Sequence, residues 1–532
     1  MLNRLFQAIT LVALGATLVS AAEPDWEQVG RRLNDGVLRW GGDAEGGAPF
    51  QLRDPADPGR VIGFEVELAD ALAAALADRL GRPLKAEFEQ YEWVSLPLGL
   101  AKGDFDLILS GFEITEDSRG EVLFSRPYYA YAEQLVVRRD EHRIGSLDDC
   151  RGRLVGTLAG SAADRLLRQH GIVPVAFDGQ VEPYLDLELG RLDAVLLDTP
   201  IVAYYAEVNP KLKLVGDRIG PGDYGVAARP ADRQLIVAID AALGDLMTTG
   251  RLRQILKRWH LWNADQAKLA RGANRAAELN GLGFDASGTP HDHEDEPIET
   301  VDRNIMASSA QRWTIDAYGP LLLRAAGMTV LLTAASMALA MLLGLVVAIV
   351  RLYAPQPFQW LALSYVEFFR GIPLLLVLFF LYFGAAPYLA DVGLRLRPEA
   401  VAILGFGLNY AAYESEIYRS AILSVPRRQW EAAQALGMPD VLCFRRIILP
   451  QAIRTALGPM TNDFVALFKD TSLVSVIAVR ELTKEYLILS RSSLKFVELG
   501  VLTAVLYLAM SVPLGYLSRY LERRWSGGER RG

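Results

Sequence analysis

Three stretches in the second half of the chain are apolar and long enough to cross a membrane. They lie near residues 325–350, 365–390 and 498–518, and each holds about 20 uncharged residues or more. Hydrophobic residues make up 51% of the 532-residue chain, but they are spread unevenly, and roughly the first 260 residues read as an ordinary soluble α/β domain. Because the chain is too long for one domain, we predict a soluble domain followed by a membrane domain.

Two further candidate spans are weak by hydropathy because they contain charged and amide side chains. They lie near residues 399–421 and 453–479. With five spans and the soluble domain outside, the loop 427–446 and the C-terminal tail both face the cytoplasm. Both segments are rich in arginine, which satisfies the positive-inside rule. We therefore predict an all-α membrane domain of about five transmembrane helices over 313–525, with a cytoplasmic tail at 526–532.

Residues 1–22 are typical of a secretory signal peptide. Arg4 precedes an apolar run over residues 5–19, and small residues follow at 20–22. The run is shorter than the roughly 20 residues that a bilayer requires. We expect the soluble domain to be exported, whether the segment is cleaved or kept as an anchor. A net charge of −8 without a basic tract gives no indication of nucleic-acid binding.

Short apolar strands alternate with amphipathic helices between residues 37 and 262. Apolar runs at 105–112, 153–160 and 191–198 read as buried strands. Strands separated by helices predict parallel sheets covered on both faces. In such sheets a small ligand binds at the carboxyl ends of the strands, near helix N-termini.

This soluble segment resembles the polar amino-acid family of periplasmic solute-binding proteins across nearly its whole length. The matching pieces occur in the family's order: GFEVELADALA, GDFDLILSGFEIT, FSRPYY, LVGTLAGS, LGRLDAVLLD, YGVAAR and GRLRQILKRW. The resemblance implies a two-lobed α/β periplasmic-binding-protein fold, with two hinge strands, for an amino-acid-binding domain at 23–262. It places the first lobe at about 36–134 plus 225–262 and the second at about 136–222.

The resemblance also implies where the ligand's ammonium group binds. Asp198 ends a strand and matches the family's aspartate, whose carboxylate makes charge-assisted hydrogen bonds to the α-ammonium. The alternative is a surface or helix-capping aspartate. Ser110 and Gly111 match positions that meet the ammonium and carboxylate groups of the ligand.

Two further contacts follow from the same resemblance. Gly160, Ser161 and Ala162 precede a helix, so their N–H groups are placed to hold the ligand's carboxylate. Trp93, with Tyr91 as the alternative, is expected to stack on the ligand, although a large aromatic residue here can equally belong to the core.

Two positions depart from the family's pattern. The family's carboxylate-binding arginine belongs three residues after Thr115, where this chain has Ser118, and Arg119 follows one residue later. Whether Arg119 replaces the usual arginine stays open. Glu113 stands where a small hydroxyl residue is usual. Its acid group either selects cationic amino acids or faces solvent.

Residues 263–312 lack apolar periodicity and include GTPHDHEDEPIE, so we predict a flexible linker. His291 and His293 stand among acidic residues there. A solvated charge run is the favoured interpretation, and no metal site is predicted.

A polar stretch between the weak spans carries a second set of motif residues. The pattern is E-A-A-x3-G-x9-I-x-L-P, formed by Glu431, Ala432, Ala433, Gly437, Ile447, Leu449 and Pro450. Glycine allows one short helix to turn into another, and proline suits the start of the next helix. The alternative is an amphipathic helix at a membrane interface.

This stretch resembles the cytoplasmic coupling loop of ABC-importer permeases, which docks on an ATPase subunit. Together with YVEFFRGIPLLL, NYAAYESEIYRSAI, SVPRRQWEAA, ILPQAIR and LFKDTSLVSVIAVREL, it makes residues 320–525 similar to permeases of the histidine/glutamine type. The ionisable residues in or near the spans include Arg370, Glu416, Lys469 and Asp470. A structural role is favoured for them over contact with substrate.

No G-x4-G-K-[ST] phosphate loop occurs in the chain, so we expect ATP and Mg²⁺ on a separate dimeric ATPase and no cofactor on this chain. The resemblance implies an amino-acid importer subunit rather than an enzyme, paired as a permease homodimer or with a close relative, in the bacterial inner membrane with its receptor periplasmic. The main alternative is a ligand-gated channel with a bilobed receptor. A periplasmic dehydratase is a more remote one.

Overall fold

The computed structural model describes residues 23–279, 300–302, 314–391, 393–394, 396–477 and 479–526. The predicted signal peptide, the pair His291 and His293, and the tail beyond 526 lie outside these residues. The chain divides into two compact units, one of residues 1–313 with 491–494 and the other of residues 314–490 with 495–532. The first unit mixes strands and helices, and the second is helical.

The first unit contains strands and helices in alternation. Its strands are β1 (Val37–Gly42), β2 (Leu52–Arg53), β3 (Val61–Ile62), β4 (Lys85–Gln90), β5 (Leu107–Ile108), β6 (Leu123–Arg138), β7 (Val155–Leu158), β8 (Val175–Phe177), β9 (Ala194–Asp198) and β10 (Leu212–Ala228). Its helices are α1 (Trp26–Arg32), α2 (Phe64–Leu80), α3 (Leu96–Lys102), α4 (Glu116–Glu121), α5 (Ala162–Gln169), α6 (Glu182–Glu188), α7 (Thr199–Tyr205), α8 (Arg233–Thr248), α9 (Arg251–Arg258) and α10 (Ala264–Leu279).

Two long antiparallel strands, β6 and β10, connect two lobes. Within the described residues the main sheet has the order β4-β1-β5-β10-β6-β9-β7-β8. β1 pairs in parallel with β4 and β5 in the first lobe, and β7 pairs in parallel with β8 and β9 in the second. The two-lobed α/β fold with two hinge strands is confirmed.

Helix α2 shows how the sequence determines these elements. Leu68, Leu72 and Leu76 recur every fourth residue and are all fully buried, so one face of the helix packs into the core. The helix ends at Gly81, whose φ of +64° is in the left-handed region. Glycine adopts that conformation without a Cβ penalty, so the chain leaves the helix at this residue.

The predicted linker differs from the structure in its first part. Residues 264–279 form α10 rather than coil. The buried Gln266 side chain pairs with the edge of β6, accepting from Ala130 N at 2.9 Å and donating to Ala130 O at 2.6 Å. This amide satisfies both backbone groups of one strand residue, so the helix belongs with the receptor unit. Residues 280–299 and 303–313 lie outside the described part.

The second unit is built from helices. They are α11 (Ile315–Tyr353), α12 (Gln356–Gly371), α13 (Leu374–Phe379), α14 (Ala386–Asp391), α15 (Pro398–Ser424), α16 (Arg427–Ala435), α17 (Asp440–Cys443), α18 (Leu449–Asp470), α19 (Leu482–Ser493) and α20 (Phe496–Ser526). One π-turn segment, Phe380–Ala385, joins α13 to α14, and another, Phe444–Ile448, joins α17 to α18.

Among the described helices, two are long and apolar enough to cross a membrane, over Ile315–Tyr353 and Phe496–Tyr516. A third span results if the pair Gln356–Gly371 and Leu374–Leu389, bent by 107°, counts as one. These match the three clear spans of the sequence. The weak candidate at 399–421 lies within α15. The one at 453–479 begins in α18, which ends at Asp470, and continues as a 3₁₀ helix over Thr471–Ile477. Polar side chains lower the hydropathy of both. Five spans therefore stay a prediction.

Candidate functional site

Asp198 ends β9 at the carboxyl edge of the second lobe's sheet and starts α7. Its side chain is 6% exposed and makes no capping hydrogen bond to α7. Its carboxylate instead accepts a hydrogen bond from the Tyr224 hydroxyl on β10. The alternative of a surface or capping aspartate is therefore wrong.

Glu133 lies directly opposite Asp198 on the neighbouring strand. The two residues are paired in the register of β6 and β9, so their side chains share one face of the sheet. Glu133 is fully buried, and among the described residues no donor group reaches either of its carboxyl oxygens. Its carboxyl is within hydrogen-bonding reach of the Asp198 carboxyl, which makes the two an acid pair.

Glu113 joins the two lobes at the same place. It follows β5 in the first lobe, where it forms a bridge with Tyr224, and it is 5% exposed. Its carboxylate accepts from Ala162 N at 2.8 Å and from Arg165 Nη2 at 2.5 Å, both on α5 of the second lobe. Of the two interpretations of Glu113, the solvent-facing one is wrong.

Burial and mutual repulsion raise the pKa values of this carboxyl cluster, which comprises Glu113, Glu133 and Asp198. Burial and the charge of Asp198 raise the pKa of Glu113 to about 7. Burial raises the pKa of Asp198 to about 6 against the opposing hydrogen bond from Tyr224. Burial and the same two carboxylates raise the pKa of Glu133 well above its usual value. The cluster therefore retains protons near neutral pH.

Stacked tyrosines form one wall of the cluster. The rings of Tyr131 and Tyr224 lie 4.5 Å apart at 15°, and Tyr129 stacks on Tyr224 at 5.8 Å. Burial, followed by the charge of Asp198, raises the pKa of Tyr224 well above its usual value. Tyr224 thus stays protonated and donates to Asp198.

The N-terminus of α5 is where the ligand's carboxylate was expected, but its N–H groups have protein partners here. Gly160 N donates to Asp164 at 3.1 Å, and Ser161 N donates to Leu158 O at 3.3 Å. Ala162 N donates to Glu113. Glu113 supplies the anion that a helix N-terminus favours, so a ligand carboxylate at this position has to displace it.

Ser110 and Gly111 follow β5, on the same connection as Glu113. The Ser110 hydroxyl accepts from Asp43 N at 3.2 Å and contacts Gln51. Gly111 has a φ of +56°, and its N–H donates to the buried Glu65 at 2.7 Å. That N–H already has an acceptor, so the expected backbone contact from Gly111 to the ligand is not supported by this geometry.

Of the two aromatic candidates, Trp93 lies beside this segment and Tyr91 packs in the core. Trp93 Nε1 donates to Ser110 O at 2.9 Å, and its ring lies 6.1 Å from that of Phe112. Tyr91 is buried against Phe105 at 5.1 Å. Trp93 remains the candidate for stacking.

Arg119 lies outside the cluster. It is exposed on the short helix α4, and its charge acts on Asp223. Thr115 caps this helix, accepting from Ser118 N at 3.1 Å, and the Ser118 hydroxyl accepts in return from Thr115 N at 2.9 Å. The one-residue shift thus puts the arginine on the solvent side of the turn, where it does not replace the family's carboxylate-binding arginine in this geometry.

Sequence reasoning missed Glu133 of the cluster and three residues that surround it, Tyr131, Arg165 and Tyr224. Arg165 was detectable, because it lies one helical turn after Ser161 and Ala162 and so shares their face. Glu133 gave a weaker signal, a lone acid in the hinge run YYAYAEQLVV. Neither signal shows which partner the residue meets across the lobes.

In the second unit, residues 427–450 form the predicted helix, glycine and second helical run. Gly437 follows α16 with a φ of +75°, and its N–H donates to Gln434 O at 2.9 Å. Met438 N donates to Ala433 O at 3.1 Å, which completes a glycine-based helix end. Pro450 lies in the first turn of α18. The turn at Gly437 is confirmed, whereas the prediction that Pro450 opens a helix is wrong: helical backbone is continuous from Asp440 to Pro450, because the π-turn segment joins α17 to α18.

The tip of this loop exposes large apolar side chains. Leu436 is 81% exposed and Val441 79% exposed, and Glu431 and Ala432 are exposed beside them, whereas Ala433 is buried and Ile447 and Leu449 are half-buried. Exposed apolar residues grouped at one tip favour a protein contact.

The ionisable residues of the predicted spans have different surroundings. Glu416 pairs with Arg351 of α11 at 2.5 Å and with Arg419 at 2.9 Å, which fits the structural role. Arg370 lies over the Tyr413 ring at 5.4 Å. Together with Asp463 and Asp470, these two residues line a cavity of about 430 Å³.

Two family profiles match the chain, one in each unit. The profile described as bacterial extracellular solute-binding proteins, family 3, matches residues 38–261. The profile described as binding-protein-dependent transport system inner membrane component matches residues 340–527.

Curated relatives and solved structures add to this. The probable amino-acid ABC transporter permease protein YckA of Bacillus subtilis is 37% identical over 207 residues, which are 39% of this chain and 90% of the relative. The glutamine transport system permease protein GlnP of Escherichia coli is 34% identical over 205 residues, 38% of this chain and 93% of the relative. A solved ancestral arginine-binding protein bound to arginine is 31% identical, with 42% of this chain and 98% of that chain covered and a TM-score of 0.39.

Proposed function

Because this chain belongs to the binding-protein-dependent transport system inner membrane components and carries a family 3 solute-binding domain ahead of its permease domain, we propose that its receptor captures a polar or cationic L-amino acid and delivers it to the attached permease. Amino-acid ABC transport is the activity of the whole chain. The finer proposal concerns the ligand, the partner and the orientation in the membrane.

The observation that carries the ligand class is the charge of the carboxyl cluster. Glu113, Glu133 and Asp198 meet there, and Arg165 is the cation facing them, already bound to Glu113. A buried excess of carboxyls is stabilised by a cation that brings its own hydrogen-bond donors. The α-ammonium binds Asp198, and a cationic side chain adds further stabilisation.

The ligand's carboxylate then competes with Glu113. Ala162 N and Arg165 both bind the Glu113 carboxylate, and a ligand carboxylate has the same chemistry. Once displaced, Glu113 is available to a cationic side chain of the ligand. Trp93 stacks on the aliphatic part of that side chain.

The partner is a separate dimeric ATPase that holds ATP and Mg²⁺. The exposed apolar tip at Leu436 and Val441 and the left-handed turn at Gly437 support docking of the loop from Glu431 to Pro450. The permease domain pairs with a second copy. The receptor lies in the periplasm and the loop in the cytoplasm of a bacterial inner membrane.

Thermal-shift screening of the full chain in detergent tests the ligand class. Each L-amino acid is added, with D-arginine and agmatine as controls. Agmatine keeps the guanidinium but lacks the carboxylate. We expect the largest shifts with L-arginine, L-lysine or a polar neutral amino acid, and small shifts with agmatine. Shifts confined to acidic or apolar amino acids would contradict the proposal.

A further inference from the structure

The acid pair on β6 and β9 points to a proton that the transport function does not account for. We propose that Glu133 and Asp198 share one proton before the ligand binds, and that the ligand's ammonium group replaces this proton between the two carboxyls. The inference rests on the proposed function and adds Glu133 to the binding residues.

The geometry that supports this is the placement of both carboxyls on one face of the sheet. Directly opposed residues of antiparallel strands have Cβ atoms about 4.5–5.5 Å apart. Two carboxylates this close, shielded from water, cannot both stay ionised. Among the described residues no protein donor reaches the Glu133 oxygens, and a proton held between the pair supplies the missing donor.

The surrounding groups do not supply another cation for Glu133. The titratable groups that act on it are Asp198 on β9, Glu113 after β5, Arg165 on α5, Tyr131 on β6, Tyr184 on α6 and, through Asp198, Tyr224 on β10. Arg165 is bound to Glu113. Burial raises the pKa values of the three tyrosines, so they remain neutral.

Binding then exchanges one cation for another. The ligand enters as an ammonium group, the carboxylic acid loses its proton to the buffer, and two carboxylates face one ammonium. Glu133 stays in place during this exchange, because it is fully buried opposite Asp198, and only Glu113 is displaced, by the ligand's carboxylate.

Calorimetry of the full chain in detergent measures this proton directly. L-arginine, or L-glutamine if the screen selects a neutral side chain, is titrated at pH 7.5 in phosphate and in Tris. These buffers differ in ionisation enthalpy, so the difference between the observed enthalpies gives the protons released. We expect release of up to about one proton per ligand. Below pH 7.5 the affinity for the amino acid should fall by up to about tenfold for each unit by which the pH decreases.

Three variants identify the source of the proton. Glu133→Gln preserves the shape, removes the acid and should abolish the release. Glu113→Gln should retain the release, because it leaves the acid pair of Glu133 and Asp198 in place. Glu121→Gln removes a carboxylate from the surface and should leave both the proton release and the affinity unchanged.

The outcomes separate this inference from the proposed function. If no amino acid binds the wild-type chain, the proposed function fails. If L-arginine binds with equal enthalpies in both buffers, or if Glu133→Gln releases as many protons as the wild type, the shared proton is refuted while the binding function stands. Loss of the release in Glu113→Gln alone would assign the proton to Glu113 and would also refute the inference.

Discussion

Replacing Gly437 with valine should uncouple transport without harming ligand capture. The glycine has a φ of +75°, and an added Cβ would meet no atom within 4 Å. The Cβ itself therefore acts on this turn through the backbone conformation rather than through a clash. In the left-handed region a residue with a Cβ costs about 1–2 kcal/mol.

That cost sets the size of the expected effect. A change of about 1–2 kcal/mol alters an equilibrium by a factor of roughly 5–30. If docking requires the turn as the structure has it, substrate-stimulated ATP hydrolysis and uptake should fall by at least about 5-fold. The assay uses proteoliposomes with the partner ATPase, and L-amino-acid binding to the same sample is measured separately.

Two matched variants make the result specific. Gly437→Asn should retain most of the activity, because asparagine tolerates the left-handed region. Gly81→Val imposes the same strain at a φ of +64°, also with nothing within 4 Å, but at the end of α2 in the receptor. It should leave coupling intact. Normal transport by Gly437→Val, or equal damage from asparagine and valine, would refute the reasoning.

Three other substitutions test the receptor. Asp198→Ala should weaken binding of the L-amino acid by about 1.5–3 kcal/mol, because it removes the charged partner of the ammonium, and unchanged affinity in calorimetry would remove Asp198 from the site. Glu113→Gln should lower the preference for arginine or lysine over glutamine, and an unchanged ratio of dissociation constants would mean that Glu113 does not select the side chain. Burial raises the pKa of Glu65 to about 7, so its contribution to stability is full below its unfolded pKa and lost as the pH rises through 7. Glu65→Gln should flatten the fall in melting temperature between pH 5 and pH 8, and a slope equal to the wild type's would contradict this.

The sequence predicted the parts of the fold that single residues or short motifs determine. The end of α2 at Gly81 and the turn at Gly437 follow from the backbone preferences of glycine, whereas Pro450 was expected to start a helix and instead lies inside the helical run that begins at Asp440. The two lobes and their hinge strands were predicted from the resemblance of several motifs, in order, to a known family. These elements need no knowledge of distant partners.

The parts that the sequence did not reveal depend on contacts between distant segments. Gln266 holds α10 against the edge of β6, although the segment has no apolar periodicity, so it read as linker. Arg119 falls on the solvent side of α4, because Ser118 turns inward to form a capping box with Thr115. Glu133 became a site residue only when β6 paired with β9 and brought it opposite Asp198.

The candidate site was likewise predicted only in part: residues in local motifs were found, and contacts between distant segments were not. Asp198 and Glu113 were named from their positions in motifs, and both lie in the cluster. The contact of Glu113 with Ala162 and Arg165 crosses from one lobe to the other, and no pattern within either segment indicates it. Composition cannot show that an acid of this protein binds where a ligand's carboxylate was expected.

Uptake by reconstituted protein tests the central claim most directly. Proteoliposomes containing this chain and its partner ATPase, with no separate binding protein, are supplied with the radiolabelled L-amino acid that gives the largest thermal shift. The account predicts concentrative uptake that requires ATP and the ATPase and is lost in Asp198→Ala. Uptake that persists without the ATPase and stops at equal concentrations on both sides would show a channel and contradict the account.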